Sequence, residues 1–338
     1  MTVPHAYFTA LLLTVLTMLC WGSWANVVKI VGNWRFELLY FDYAFGILLA
    51  SVVAGLTFGS MGGDGLAFLD DLATAGRWNM LYGFAGGVIF NLSNYLVVGA
   101  IAVAGLGVAF PIGVGLALVV GVVWNYFVNP QGNPLLLFTG VALVVAAIVT
   151  DAIAYRVHAD VVLTGAKRST GKGILLSVIG GLLMGTFYPL VELGKKGDGG
   201  LGPYGVGFIF CLGIFVSTFA FGLYFMKKPV QGKPLKIGAY FRGRATVHLL
   251  GIAGGLMWAT GTLSSFIAAS APKELQVGPA VSYALGQGST MIGAFWGVFI
   301  WKEFAGGGKR VNRLIFLMFV LFLSGLGLVS IAPLYTVR

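Results

Sequence analysis

The run 79–101, NMLYGFAGGVIFNLSNYLVVGAI, decides the fold class. Its 23 residues carry no charged side chain. As a helix it extends about 35 Å, enough for a hydrocarbon layer of about 30 Å. Gly83 and Gly87 stand four apart, a spacing that lets helix backbones approach closely in lipid. Gly87, Asn91, Asn94 and Tyr95 share one helical stripe.

Nine further runs of the same kind lie outward from it, at about 7–28, 38–60, 106–128, 135–155, 173–194, 204–226, 246–270, 277–301 and 312–333. The whole chain agrees with them. Of its 338 residues 58% are hydrophobic and 9% charged, against about 25% charged in a soluble domain; mean hydropathy is +0.92. A soluble enzyme, a disordered chain and a disulfide scaffold are excluded. Cys20 and Cys211 both lie inside apolar runs. The first run is too long for a signal core and lacks a basic flank, so it is expected to stay as a membrane segment. The expected fold is an all-α integral membrane protein of ten transmembrane helices.

Sixteen of the 21 Lys and Arg fall after runs one, three, five, seven and nine. The positive-inside rule places those loops in the cytoplasm and both termini outside, in a multi-pass protein of the cytoplasmic membrane. The net charge of +10 thus reads as topology and attraction to membrane lipid. The charged loops are short, and none interleaves basic residues with stacking aromatics on the scale of a nucleic-acid site, so no nucleic-acid partner is expected.

The halves repeat. Gly83-Phe-Ala-Gly-Gly87 returns as Gly251-Ile-Ala-Gly-Gly255, Trp21-Gly-Ser-Trp24 in kind as Met184-Gly-Thr-Phe187, and Val123-Trp124 as Phe295-Trp296. Five helices is an odd number, so a duplicated unit inserts its second copy upside down, as in many secondary transporters. The expected division is a first five-helix repeat (1–155), a short basic cytoplasmic linker (156–172) and a second repeat (173–338).

Polar and aromatic side chains within runs mark the candidate site, because they are costly there. Trp21 and Trp24 offer flat walls, although Trp24 also suits an interfacial belt. Asn91, Asn94 and Tyr95 offer directional hydrogen bonds, or alternatively hold helices together. Tyr188, Trp258, Thr262, Tyr283 and Gln287 extend the set from the second half. Such a neutral, aromatic, amide-rich lining suits an uncharged polar solute. Proton coupling needs a carboxyl that changes state; the candidates are Glu192, beside Lys195 and Lys196, Asp42, just inside run two, and Glu37, which can instead pair with Lys29. Asp151 and Glu303 complete the few acids near the runs, Glu303 reading as a helix-end acid, and no central carboxylate is expected on the midplane. Catalytic pairs are missing. His5, His158 and His248 are scattered, so no metal or other cofactor is expected. Gly165-Ala-Lys-Arg-Ser-Thr-Gly-Lys-Gly173 lacks the phosphate-loop spacing and the Ser or Thr after its lysine.

Asp42-Tyr43, Phe84-Ala-Gly-Gly-Val88 with Asn91, Gly105-Leu-Gly107, Asn125-Tyr-Phe127 and Phe295-Trp-Gly297 leading to Glu303, taken in order, resemble the ureide permeases of the drug/metabolite transporter superfamily. Gly255-Leu-Met-Trp258-Ala and Val277-Gly-Pro-Ala-Val-Ser282 are similar to the bacterial glucose-uptake and rhamnose–proton symporter relatives. The resemblance implies inverted five-helix halves and proton-coupled uptake of a small polar solute: a ureide, a nucleobase-like compound or a sugar. The family's long central loop with its nucleotide-binding-like motif is short and broken here, so no nucleotide role carries over. A metabolite or drug exporter on the same fold is the alternative; an intramembrane enzyme is a third class.

Overall fold

The computed structural model describes residues 1–104, 106–162, 170–230, 232–272, 275 and 277–335. Gly105 of the Gly-Leu-Gly motif, 163–169 of the expected linker, Lys273 and Arg338 lie outside the described residues. The chain enters through α1 (Tyr7–Ser23), which passes over a two-residue joint into α2 (Asn26–Val31), and continues through α3 (Phe36–Leu56), the short α4 (Phe68–Thr74), α5 (Arg77–Ala104), α6 (Leu106–Val128) and α7 (Pro134–Val162). The second half runs through α8 (Thr170–Gly194), α9 (Pro203–Lys227), a 3-10 turn (Ile237–Arg242), α10 (Ala245–Ala268), α11 (Pro279–Gln287), α12 (Ser289–Phe295) and α13 (Gly308–Ile331). No strand occurs among the described residues. Helices are what a lipid environment demands, since each backbone N–H and C=O must find its partner within the segment.

Among the described residues nine helices are long and apolar enough to cross a membrane, where ten runs are expected. The difference is the run 277–301. It divides into α11, α12 and a π-helical turn, Trp296–Ile300. Gly288 is the α11–α12 joint and Gly286 stands two residues before it, and glycine is a weak helix former. The expected linker also shrinks, because α7 extends to Val162 and α8 starts at Thr170. With these helices the chain is a multi-pass membrane protein.

Glycine governs how the helices meet. A Cβ at Gly87 of α5 would stand 2.0 Å from the Phe210 carbonyl oxygen of α9, and one at Gly213 of α9 would stand 2.3 Å from the Phe84 carbonyl oxygen of α5. Likewise Gly255 of α10 faces the Tyr43 carbonyl oxygen of α3 at 2.0 Å, and Gly46 of α3 faces that of Ile252 at 2.2 Å. Gly140 of α7 and Gly325 of α13 meet each other's carbonyl oxygens at 2.7 Å. Such close backbone contact supplies the van der Waals packing that holds helices together where lipid gives no hydrophobic drive for association.

Candidate solute-binding cavity

Between α1, α5, α7, α8, α10 and the segmented α11–α12 stretch lies a cavity of about 530 Å³. It extends from the centre of the bundle to the end where Lys29, Tyr155, Trp301 and Glu303 stand. Its deep wall is aromatic. Trp258 stacks on Phe90 with centroids 4.6 Å apart and lies nearly parallel to Trp21 at 6.1 Å. Trp24 leans on Tyr43 at 4.6 Å. The rings hold one another in fixed orientation, which preserves flat faces without an ordering cost at binding.

Of the residues singled out in the sequence, Trp21, Trp24, Asn94, Trp258 and Gln287 line this cavity. The others stand behind its wall. Thr262 is fully buried and accepts the Trp21 indole N–H at 3.0 Å. Tyr188 exchanges a hydrogen bond with Ser265 at 2.9 Å and donates to Ser282 at 3.3 Å. Tyr283 donates to the Ala117 carbonyl at 3.3 Å. Tyr95 stacks on Phe225 with centroids 5.1 Å apart.

The two asparagines of α5 separate. Asn94 Nδ2 donates to the Tyr40 hydroxyl at 2.9 Å and faces the cavity. Asn91 turns to α9, where Nδ2 reaches Ser217 Oγ at 2.8 Å and the Ile214 carbonyl and Thr218 Oγ1 at 3.1 Å. Asn91→Ala is therefore expected to lower stability by about 1–2 kcal/mol while leaving solute affinity within about twofold. Thermal unfolding and equilibrium binding on the same preparation check this; a large affinity loss at unchanged stability would place Asn91 in the site.

The candidate coupling acids lie off the cavity, each with partners. Glu192 pairs with Lys195 at 2.6 Å. Asp42 accepts the Tyr240 hydroxyl at 2.5 Å and His248 Nδ1 at 2.8 Å. Burial first, then the hydrogen bond and charge of Asp42, hold the Tyr240 phenol above its ordinary range, so it stays a donor. Glu37 receives Arg35 Nε at 3.0 Å. That contact, partly offset by burial, raises the Arg35 guanidinium further.

Glu37 does not pair with Lys29. Lys29 crosses instead to Glu303, which also accepts the Tyr155 hydroxyl. Glu303 is thus a cavity residue rather than a plain helix-end acid. Trp296 Nε1 donates to Ser23 Oγ at 2.9 Å and Trp301 Nε1 to Asn26 Oδ1 at 2.5 Å, lacing this end of the cavity between α1–α2 and the 296–303 segment. Asp151 also lines the cavity, so among the described residues its wall carries two carboxyls. The one available signal for Asp151 is a charge inside run five.

Three comparisons bear on this arrangement. The Ureide permease family model matches residues 39–167. Ureide permease 2 of Arabidopsis thaliana is 24% identical over 92% of this chain and 93% of its own length. Ureide permease 1 of the same plant is 22% identical over 91% and 93%, and Ureide permease 5 is 24% identical over 94% and 93%. A solved crystal structure superposes with a TM-score of 0.59 at 16% identity, covering 94% of this chain and 95% of the other. That likeness concerns the fold alone.

Proposed function

We propose that this chain is a secondary transporter, not an enzyme, that carries a small neutral polar solute of the ureide or nucleobase kind, or a sugar, across the cytoplasmic membrane. The observation that carries the proposal is the cavity: it is lined by the indoles of Trp21, Trp24 and Trp258 and by the carboxamides of Asn94 and Gln287, which supply donors and acceptors. A ureide presents planar amide groups with alternating N–H and C=O. Stacking and carboxamide pairing match both features. The named permease relatives favour the ureide among the three classes.

Two inverted five-helix repeats, 1–155 and 173–338, belong to the same proposal. Its support is the paired packing. The contacts of α5 with α9 and of α10 with α3 use glycines at corresponding places, Gly87 with Gly255 and Gly46 with Gly213. α7 and α13, fifth in each half, meet each other directly. Rocking of one half against the other would move the cavity's access from one side of the membrane to the other. With the basic loops in the cytoplasm and both termini outside, the cavity end bearing Lys29 and Glu303 faces inward. Proton-driven uptake is part of the reading, with Glu192, Asp42 and Glu37 as its sequence-derived coupling candidates.

The test is a comparison of allantoin, uracil and glucose on purified protein and in proteoliposomes. At least one is expected to raise the unfolding temperature, as any ligand selective for the native state does, and to accumulate only while an inward proton gradient stands. No uptake of all three into vesicles holding folded protein would end the reading. Accumulation indifferent to the gradient would remove its proton coupling.

A further inference from the structure

Asp151 is the group on the cavity wall that the aromatic and amide lining leaves unexplained. It sits in α7, within the stretch Pro134–Ala159 that is long and apolar enough to cross the membrane. It is 6% exposed, borders the cavity, and its Oδ1 is buried without a hydrogen-bond partner. Val97, Val98 and Val114 line the same cavity with hydrocarbon. An unpaired carboxylate ion is strongly disfavoured in such surroundings, and the protonated form is not.

Among the described residues the charges around it offer no cation. Tyr155, one turn further along α7, gives its hydroxyl to Glu303. Lys29, on the same cavity, is held by Glu303. α6, packed on α7, has no charged residue. α13, packed on its other side, carries Lys309, Arg310 and Arg313, all within its first six residues. The next turns of α7 hold Arg156 and His158, whose Nε2 lies 3.0 Å from the Ala305 carbonyl oxygen. The α11–α12 stretch contributes neutral Gln287, Ser289 and Thr290 to the cavity. Among the described residues no Lys, Arg or His forms an ion pair with Asp151.

From this geometry we infer that Asp151 is the proton-binding carboxyl of the transport cycle. A proton entering from water forms the O–H bond on Asp151, and that bond breaks when the proton leaves to water on the other side; no other atom changes hands. Glu192, Asp42 and Glu37 are each held by a basic side chain and do not border the cavity, whereas Asp151 borders it and forms no ion pair among the described residues. The inference rests on the proton-coupled reading above.

Wild type and Asp151→Asn are compared in proteoliposomes with radiolabelled allantoin. The variant is expected to keep solute exchange at equal pH within about threefold and to lose gradient-driven accumulation by at least about tenfold, with Asp151→Glu restoring it. Accumulation retained by Asp151→Asn overturns the assignment. So does loss of exchange in a folded variant, which would make Asp151 a solute ligand or a packing residue. A second arm uses wild-type protein and no solute. Dicyclohexylcarbodiimide adds to protonated carboxyls in apolar surroundings, so Asp151 is expected to be labelled faster in acid than in alkali, read by peptide mass. Labelling of Asp151 that ignores pH, or none at all, overturns the proposal even if Asp151→Asn does not fold. Wild-type accumulation that ignores the proton gradient is a separate failure, that of the coupled-transport reading; the results confined to Asp151 leave that reading standing.

Discussion

Trp258→Ala is expected to lower solute affinity by at least about 100-fold, a loss of about 3 kcal/mol. Trp258 is buried in the middle of α10 with its ring against Phe90 at 4.6 Å and near Phe210 at 6.4 Å. Its face is therefore fixed before any solute arrives. Removing the indole takes away the stacking surface, frees Phe90 to rotate into the gap and enlarges the cavity, so the solute loses contact and orientation together. Trp258→Phe keeps a flat ring and is expected to fall between the two. Equilibrium binding of allantoin measures the series, and a single symmetric size-exclusion peak shows that each variant is folded. A folded Trp258→Ala protein with unchanged affinity would move the solute out of this cavity.

The contrast between what the sequence shows and what it hides follows from which neighbours each reading needs. Hydropathy needs none. The runs 204–226 and 246–270 return as Pro203–Lys227 and Ala245–Ala268, because apolar length and flanking Pro, Lys and Gly are local properties. The break in the run 277–301 escapes the same test, because composition over a window does not register where hydrogen bonds lapse; its local sign is the close pair of glycines, Gly286 and Gly288. Helical periodicity brings Asn91, Asn94 and Tyr95 to one stripe. A stripe of that width touches more than one neighbour, however, and the sequence does not say which. Asn91 faces α9 and Asn94 the cavity. The hidden part of the site is the part built from distant segments. Lys29 looks ready for the nearby Glu37, yet its partner is Glu303 at the far end of the chain. Asp151 reads as one more acid near a run, and only the fold reveals that the described residues around it supply no counter-charge.

Gly255→Val is expected to abolish assembly of the folded protein. The first carbon added would stand 2.0 Å from the Tyr43 carbonyl oxygen and 2.9 Å from the Ile47 backbone nitrogen. Both are main-chain atoms of α3, so no side-chain rotation relieves the clash. The two helices must part, and α10 carries Trp258 and Thr262 with it. Overpacking by a single methyl costs about 1–3 kcal/mol, which sets the lower bound expected for Gly255→Ala; the branched side chain exceeds what a marginally stable protein tolerates. Gly87→Val meets the Phe210 carbonyl oxygen at the same 2.0 Å and is expected to fail as completely, since the same crossing holds α5 to α9. Gly63, with nothing within 4 Å of an added Cβ, serves as control: Gly63→Val is expected to elute as wild type. Fluorescence-detected size exclusion of detergent extracts reads all three. A Gly255→Val protein that elutes and melts like the wild type would show that α3 and α10 do not meet backbone to backbone, and the aromatic wall built on their contact would lose its foundation.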